Sequence, residues 1–332
     1  MLVNGITVLG LVALAALLAR AARWAWGSKR AWLKWSGLTL ATLLTLVVDV
    51  VLVILVMGLA KGYLPASNPV SNARVAGTPE QVARGKQLAY VCVSCHSPDG
   101  DLPLAGGQRN FGDFGPGGPT VGALYAPNLT PAGELAGWSD GEILRALREG
   151  VHKNGRSLLI MTSDAFHSLS DEDAQSLVAY LRLQPAVPRD PHYDTPSNGV
   201  NPLGAMLIGL GMFPTSAQPP ITQPVVAPPR GPTAEYGKYL VDSLGCHDCH
   251  GANLTGGRSG GPTGPVAPNL TLTVPRMAEA DLLSLFRTGT VGGNKISDNM
   301  PWNNYGRSFT DDDVQALYAF LHGLTPTQAA SK

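Results

Sequence analysis

Charge is scarce in this sequence, and neither sign prevails. Asp, Glu, Lys and Arg make up 14% of the 332 residues, with 24 basic and 24 acidic side chains. A chain without a basic excess lacks the electrostatic footprint of a nucleic-acid partner. Acids are nearly missing from the N-terminal segment. Residues 1–61 carry six basic side chains (Arg20, Arg23, Lys29, Arg30, Lys34, Lys61) and one acid, Asp49, which leaves 18 basic against 23 acidic groups beyond residue 61. The body of the chain is therefore moderately acidic. No kinase, nucleotide-binding or DNA-binding motif occurs, which removes the usual companions of a membrane sensor. Glycine (39) and proline (27), by contrast, are abundant. They point to small helical units joined by irregular connections rather than to a large sheet.

Cysteine is confined to four positions, Cys92, Cys95, Cys246 and Cys249. Each pair is followed at once by histidine, in CVSCH at 92–96 and CHDCH at 246–250. Disulfides, a redox dithiol or half of a zinc site would each use such pairs. None of them calls for a histidine directly after both. Covalent haem attachment does, because two thioethers fix the porphyrin vinyl groups and the adjacent His reaches the iron. His96 and His250 are thus the expected proximal ligands of two covalently bound haem c groups.

Two apolar runs, Leu2–Ala19 and Gly37–Ala60, precede these motifs. At about 1.5 Å per residue both reach across a hydrocarbon core of about 30 Å, the first only just. Between them, RAARWAWGSKRAWLKW holds five basic residues, no acid and four tryptophans. Basic loops mark the cytoplasmic side and tryptophan favours the interface. The expectation is a transmembrane hairpin over 1–61 with both ends outside, a connector over 62–77, and everything later on the extracytoplasmic side of the inner membrane of a prokaryote. A signal peptide cleaved near Ala60 is the competing reading. Asp49 falls mid-span, either on a polar face packed against the first helix or against a membrane partner.

The rest of the chain repeats. EQVARGKQLAYVCVSCH (80–96), APNLTP (126–131), Met161 and LSDEDAQSLVAYLR (169–182) recur as AEYGKYLVDSLGCHDCH (234–250), APNLTL (267–272), Met300 and FTDDDVQALYAFLH (309–322). Thr78 with Gln81, and Ser139 with Glu142, read as capping boxes. Ser170 and Thr310 open the final helices, with acids in the first turn. Two haem domains are expected, over 78–183 and 233–325, with a tail at 326–332 and a Pro-rich linker at 184–232. That linker permits either a rigid pair or two mobile domains. Within it, Asn201–Phe213 is too short to span a bilayer. It is read either as docked on a haem domain or as lying on the membrane surface.

Methionine as sixth ligand favours reduced iron and suits electron transfer. Met300 is the expected distal ligand of the second haem. Met161, at the same eleven-residue spacing from a glycine, is its counterpart in the first, with His152 or His167 as the alternative. A ligating imidazole hands its other N–H to an acceptor, and the backbone carbonyls of Pro127 (for His96) and Pro268 (for His250) can fill that place. Asn128 and Asn269, next to these prolines, read as turn residues.

With Gly85, Gly237, C-x-x-C-H, PNL, the distal Met and the aromatics Tyr180 and Phe320, residues 78–183 and 233–323 resemble class I cytochromes c. The resemblance implies an all-α fold, a two-helix hairpin followed by two class I cytochrome c domains, in which first and last helices cross at the Gly and aromatic positions. The stretch APNLTPAGELAGWSDGEILRALREGV is also similar to cytochrome subunits of membrane-bound alcohol and aldehyde dehydrogenases. Those typically have three haem domains and a C-terminal anchor, unlike this chain, and Thr162 stands where Pro usually follows the ligand. The implied role is a membrane-anchored dihaem carrier between redox partners such as a dehydrogenase, an oxidase or other respiratory subunits, not itself an enzyme. A dihaem enzyme such as a cytochrome c peroxidase is the alternative. A thiosulfate-oxidising enzyme with a Cys ligand is disfavoured because all four cysteines are committed.

Overall fold

The computed structural model describes residues 2–115, 117–193, 199–258 and 266–328. Helices α1 (Leu2–Trp26) and α2 (Ala31–Tyr63) form a hairpin, and both are long and apolar enough to cross a membrane. Ala41, Val48 and Leu55 are buried at seven-residue intervals, the period of a left-handed helix pair. Trp26 meets Trp35 edge-on at 6.3 Å, and the Lys34 ammonium sits 3.9 Å from the Trp26 ring centroid, closing the turn end. Most other apolar side chains of the pair, such as Leu9, Leu17, Leu43 and Val50, are exposed.

The first haem-domain candidate is built from α3 (Pro79–Ala89), the short α4 (Val93–His96), α5 (Asp140–Glu149), the turn α6 (Ser163–Phe166) and α7 (Asp171–Leu183). Its helix starts are local. Thr78 and Gln81, and Ser139 and Glu142, exchange side-chain and backbone bonds as full capping boxes, and Ser170 Oγ accepts the Asp173 N–H. Helix α3 crosses α7 at Gly85, where a Cβ would fall 1.8 Å from the Ser176 carbonyl oxygen and 2.8 Å from the Tyr180 Cβ. Only glycine permits that approach.

Helix α8 (Pro202–Gly209) belongs to the connecting segment. It lies on the end of α2 through small residues of both helices: a Cβ on Gly58 would fall 1.6 Å from the Ala205 carbonyl oxygen, and one on Gly209 2.2 Å from that of Ile54. Asn4 at the start of α1 donates to the Val200 carbonyl at 2.9 Å. The segment read from sequence as docked on a haem domain or on a membrane surface therefore packs on the hairpin. It also touches the first domain, through a cluster of Val121, Leu124, Val200, Ile208 and Phe213.

The second unit repeats the first with α9 (Ala234–Ser243), α10 (Cys246–His250), α11 (Leu270–Thr273), α12 (Glu279–Thr288), α13 (Trp302–Ser308) and α14 (Asp311–His322). Helix α9 crosses α14 at Gly237, whose Cβ position lies 1.9 Å from the Ala316 oxygen. Ala316 and Leu317, rather than Phe320, come closest there. Strands are limited, among the described residues, to three antiparallel two-residue pairs.

The two units share one continuous apolar core, and their contact has a near two-fold logic. Arg84 in α3 and Tyr236 in α9 occupy equivalent positions, each just before the crossing glycine, and they meet at 3.1 Å. Tyr239 donates to Asp173 at 2.8 Å, while its equivalent Gln87 reaches Asp313, the counterpart of Asp173, at 3.5 Å. Arg84 clasps Asp173 with two bonds of 2.8 and 2.9 Å in a buried pair. The Pro-rich connection is strapped down as well: Asp171 N–H bonds the Val225 carbonyl, and Gln218 N–H that of Glu149.

Candidate functional site

Two C-x-x-C-H segments set the candidate sites. In the first, α4 begins one residue after Cys92, so Cys95 and His96 fall on its single turn. His96 is buried, and its Nδ1 lies 3.0 Å from the Pro127 carbonyl oxygen. That acceptor holds the Nδ1–H and leaves the Nε2 lone pair for a metal. Burial, with the charge of Arg189, lowers the His96 pKa and so favours the neutral, ligating imidazole. His250 repeats the arrangement: it is buried, its Nδ1 is 3.0 Å from the Pro268 carbonyl oxygen, and burial lowers its pKa too.

No disulfide joins the four cysteines. Burial pushes both Cys92 and Cys246 up to about 12, with smaller contributions from neighbouring acidic groups. A redox dithiol needs the opposite shift. Among the described residues, no group of three or more His, Cys, Asp or Glu side chains is arranged to hold a metal ion by itself.

A cavity of about 1230 Å³, counting its open mouth, lies against the first segment. Cys92, Cys95, His96, Pro127 and Met161 line it together with apolar side chains including Leu129, Trp138, Ile143 and Phe166. Two cysteine sulfurs, a neutral imidazole and a thioether around a mostly apolar slot, with Glu134 and His152 also in its wall, form a donor set that fits haem c. In the second unit Cys246 and Met300 pack against the shared core, and Tyr305, from α13, donates to the Leu244 carbonyl at 2.9 Å beside the attachment segment. Residues 259–265, next to this site in sequence, lie outside the described residues.

Both alternative histidines have hydrogen-bond partners. His152 also lines the first cavity, but its Nε2 pairs with Glu134 at 2.8 Å, and His167 Nδ1 lies 3.0 Å from the Arg148 carbonyl oxygen. Asn128 and Asn269 do more than shape turns. Asn128 Nδ2 donates to the Val187 carbonyl and Asn269 Nδ2 to that of Thr327, so each PNL loop is tied to the segment following its domain's last helix.

The segment after Met300 reaches the first attachment segment. Asn304, after Met300, donates to Ser94 between Cys92 and Cys95 at 2.6 Å, and Arg307 binds Asp101 at 3.0 Å. On the other side, burial and then the charge of Asp164, three residues after Met161, push Asp248 up to about 6. Asp248 lies between Cys246 and Cys249. The first attachment loop thus neighbours the second unit's methionine loop.

A family model described as cytochrome c matches residues 82–184 and 234–325. Among curated proteins, the cytochrome c subunit of the gluconate 2-dehydrogenase of Pantoea cypripedii is 32% identical over 180 residues, covering 51% of this chain and 37% of that protein. The cytochrome c subunit of the quinone alcohol dehydrogenase of Gluconacetobacter polyoxogenes is 26% identical over 294 residues, 77% of this chain and 59% of its own length. A diheme cytochrome c-type protein of Cereibacter sphaeroides is 25% identical over 273 residues, 74% and 86% of the two chains. The chain thus spans less than two thirds of the dehydrogenase subunits it matches.

Proposed function

This chain belongs to the cytochrome c family, and we propose that it is a membrane-anchored dihaem carrier that moves electrons between redox partners on the extracytoplasmic face of a prokaryotic inner membrane. The observation that carries the reading is the cavity that brings Cys92, Cys95, His96 and Met161 together, with the same His-to-Pro-carbonyl geometry repeated at His250. Bound haem c would supply a one-electron ferric/ferrous couple at each site. Cys92 and Cys95, and Cys246 and Cys249, would tether it. His96 and His250 would hold the iron through Nε2, their rings oriented by the Pro127 and Pro268 carbonyls. Met161 and Met300 would take the sixth position, which favours the reduced state.

The hairpin supports the membrane assignment. Trp24, Trp26, Trp32 and Trp35 are exposed at one end. Gly58, where α8 packs, lies 23 residues beyond Trp35, or about 35 Å along a helix, close to the thickness of a hydrocarbon core. The basic turn at the tryptophan end would face the cytoplasm. The names of the relatives make a dehydrogenase the natural electron donor.

Spectroscopy of the detergent-solubilised chain tests this reading. Two haems per chain, both six-coordinate with His/Met near-infrared and magnetic signatures, are expected, and Met300→Ala should lower the potential of one haem only. A native high-spin haem with peroxide turnover would replace the carrier by a dihaem peroxidase.

A further inference from the structure

The two methionine segments share a backbone but not the means of holding it. Thr162, after Met161, has φ −78° and ψ 49°, and Pro301, after Met300, has φ −78° and ψ 51°. In Pro301 the ring imposes that φ. Thr162 has no ring. Ile160, just before Met161, moreover sits at φ +65°, a region that strains a β-branched residue, whereas Asn299 before Met300 does not. Such strain persists only where the surroundings hold it.

Much of those surroundings comes from outside the haem domain, from α2 and the connecting segment. Leu159 and Ile160, which also line the first cavity, pack on the cluster of Val121, Leu124, Ile208 and Phe213, with Tyr63 from the end of α2. Leu159 pairs with Thr215, Ser216 N–H bonds the Leu158 carbonyl at 2.9 Å, and Ala217 N–H bonds Ser157 Oγ at 3.1 Å. This strap continues directly from α8, which is seated on α2 at Gly58. We propose that α2, α8 and the strap form a brace that positions Met161 for the first haem, doing from outside what Pro301 does from within for Met300. The proposal rests on the haem reading above. The hairpin then serves as more than a tether, because one haem's ligation depends on its packing.

The full-length protein with both haems, in detergent, provides the test. Its near-infrared iron–methionine band counts Met-ligated haems, and imidazole titration reads how easily each methionine is displaced. Ile208→Ala hollows the cluster. Gly58→Ala pushes α8 from α2, since the new Cβ would fall 1.6 Å from the Ala205 oxygen. In either variant the band should fall toward half, and imidazole should bind one haem at least tenfold more tightly while the other is unchanged. Thr162→Pro should restore the Ile208→Ala protein, because Thr162 already has a proline φ and its N–H donates no hydrogen bond among the described residues. An unchanged band and imidazole affinity in both variants would overturn the brace. So would equal loss at both haems, or failure of Thr162→Pro to rescue. A wild-type band from fewer than two haems would overturn the methionine ligation itself, and the brace with it, which keeps the two failures apart.

Discussion

Asp173 lies only 2% exposed beneath the Arg84 guanidinium, which donates to both of its carboxylate oxygens, while Tyr239 of the other unit donates at 2.8 Å. Asp173→Ala leaves a 7% exposed cation without its counter-charge and takes an acceptor from Tyr239. Removing one partner of a buried ion pair costs about 3–5 kcal/mol. The low end applies here, because Arg84 keeps Gln87 and Tyr236, and Tyr239 keeps Ser170. At about 2–4 °C per kcal/mol for a body of this size, a loss of about 3 kcal/mol lowers Tm by about 6–12 °C. Hydrogen exchange read by mass spectrometry locates the damage, and peptides of α3 and α7 and those of α9 and α14 should lose protection together. The double variant Arg84→Met/Asp173→Leu, which removes both members of the buried pair, should recover most of the loss. A Tm shift below about 2 °C, or loss of protection confined to α3 and α7, would refute the claim that this pair welds the units.

Two further outcomes follow from the same packing. Burial alone would raise the Asp173 carboxyl, but the hydrogen bonds and charge of Arg84, with Tyr239 and Arg230, outweigh it and lower the pKa. The stabilisation is therefore complete above the unfolded value of about 3.9 and is lost as pH falls through the lower folded value. Urea midpoints at pH 6 and pH 3 should differ less in Asp173→Asn than in the wild type, and an equal difference would show that Asp173 carries no part of the acid sensitivity. Gly237→Ala would place a Cβ 1.9 Å from the Ala316 carbonyl oxygen, against backbone that cannot swing aside. It should cost about 1–3 kcal/mol or more by forcing α9 from α14, and an unchanged urea midpoint would contradict the crossing.

Local chemistry was legible because its partners are sequence neighbours. Thr78 with Gln81 and Ser139 with Glu142 lie three residues apart, and both capping boxes form, while Thr310, read as a helix start, makes a third with Asp313. The two apolar runs became two long helices, and the repeat became two units that match the cytochrome c family. A C-x-x-C-H segment places its groups on one turn, so five residues suffice to announce an attachment chemistry. What joins the units could not be read this way. Arg84, Gln87, Tyr236 and Tyr239 sit in first helices where polar residues look like a solvated face, and their partners lie 66 to 226 positions away. The placement of α8 was undecided for the same reason: Gly58 and Ala205 are unremarkable until two backbones meet with no room for a Cβ. The sequence by itself determined the helices, the repeat and the haem-binding motif, since each rests on bonds and periodicities within a few residues. Only the tertiary structure decided that the connection is a strap, that the units are one body, and that the hairpin end packs toward the segment before Met161, because steric fit between distant segments has no local signature.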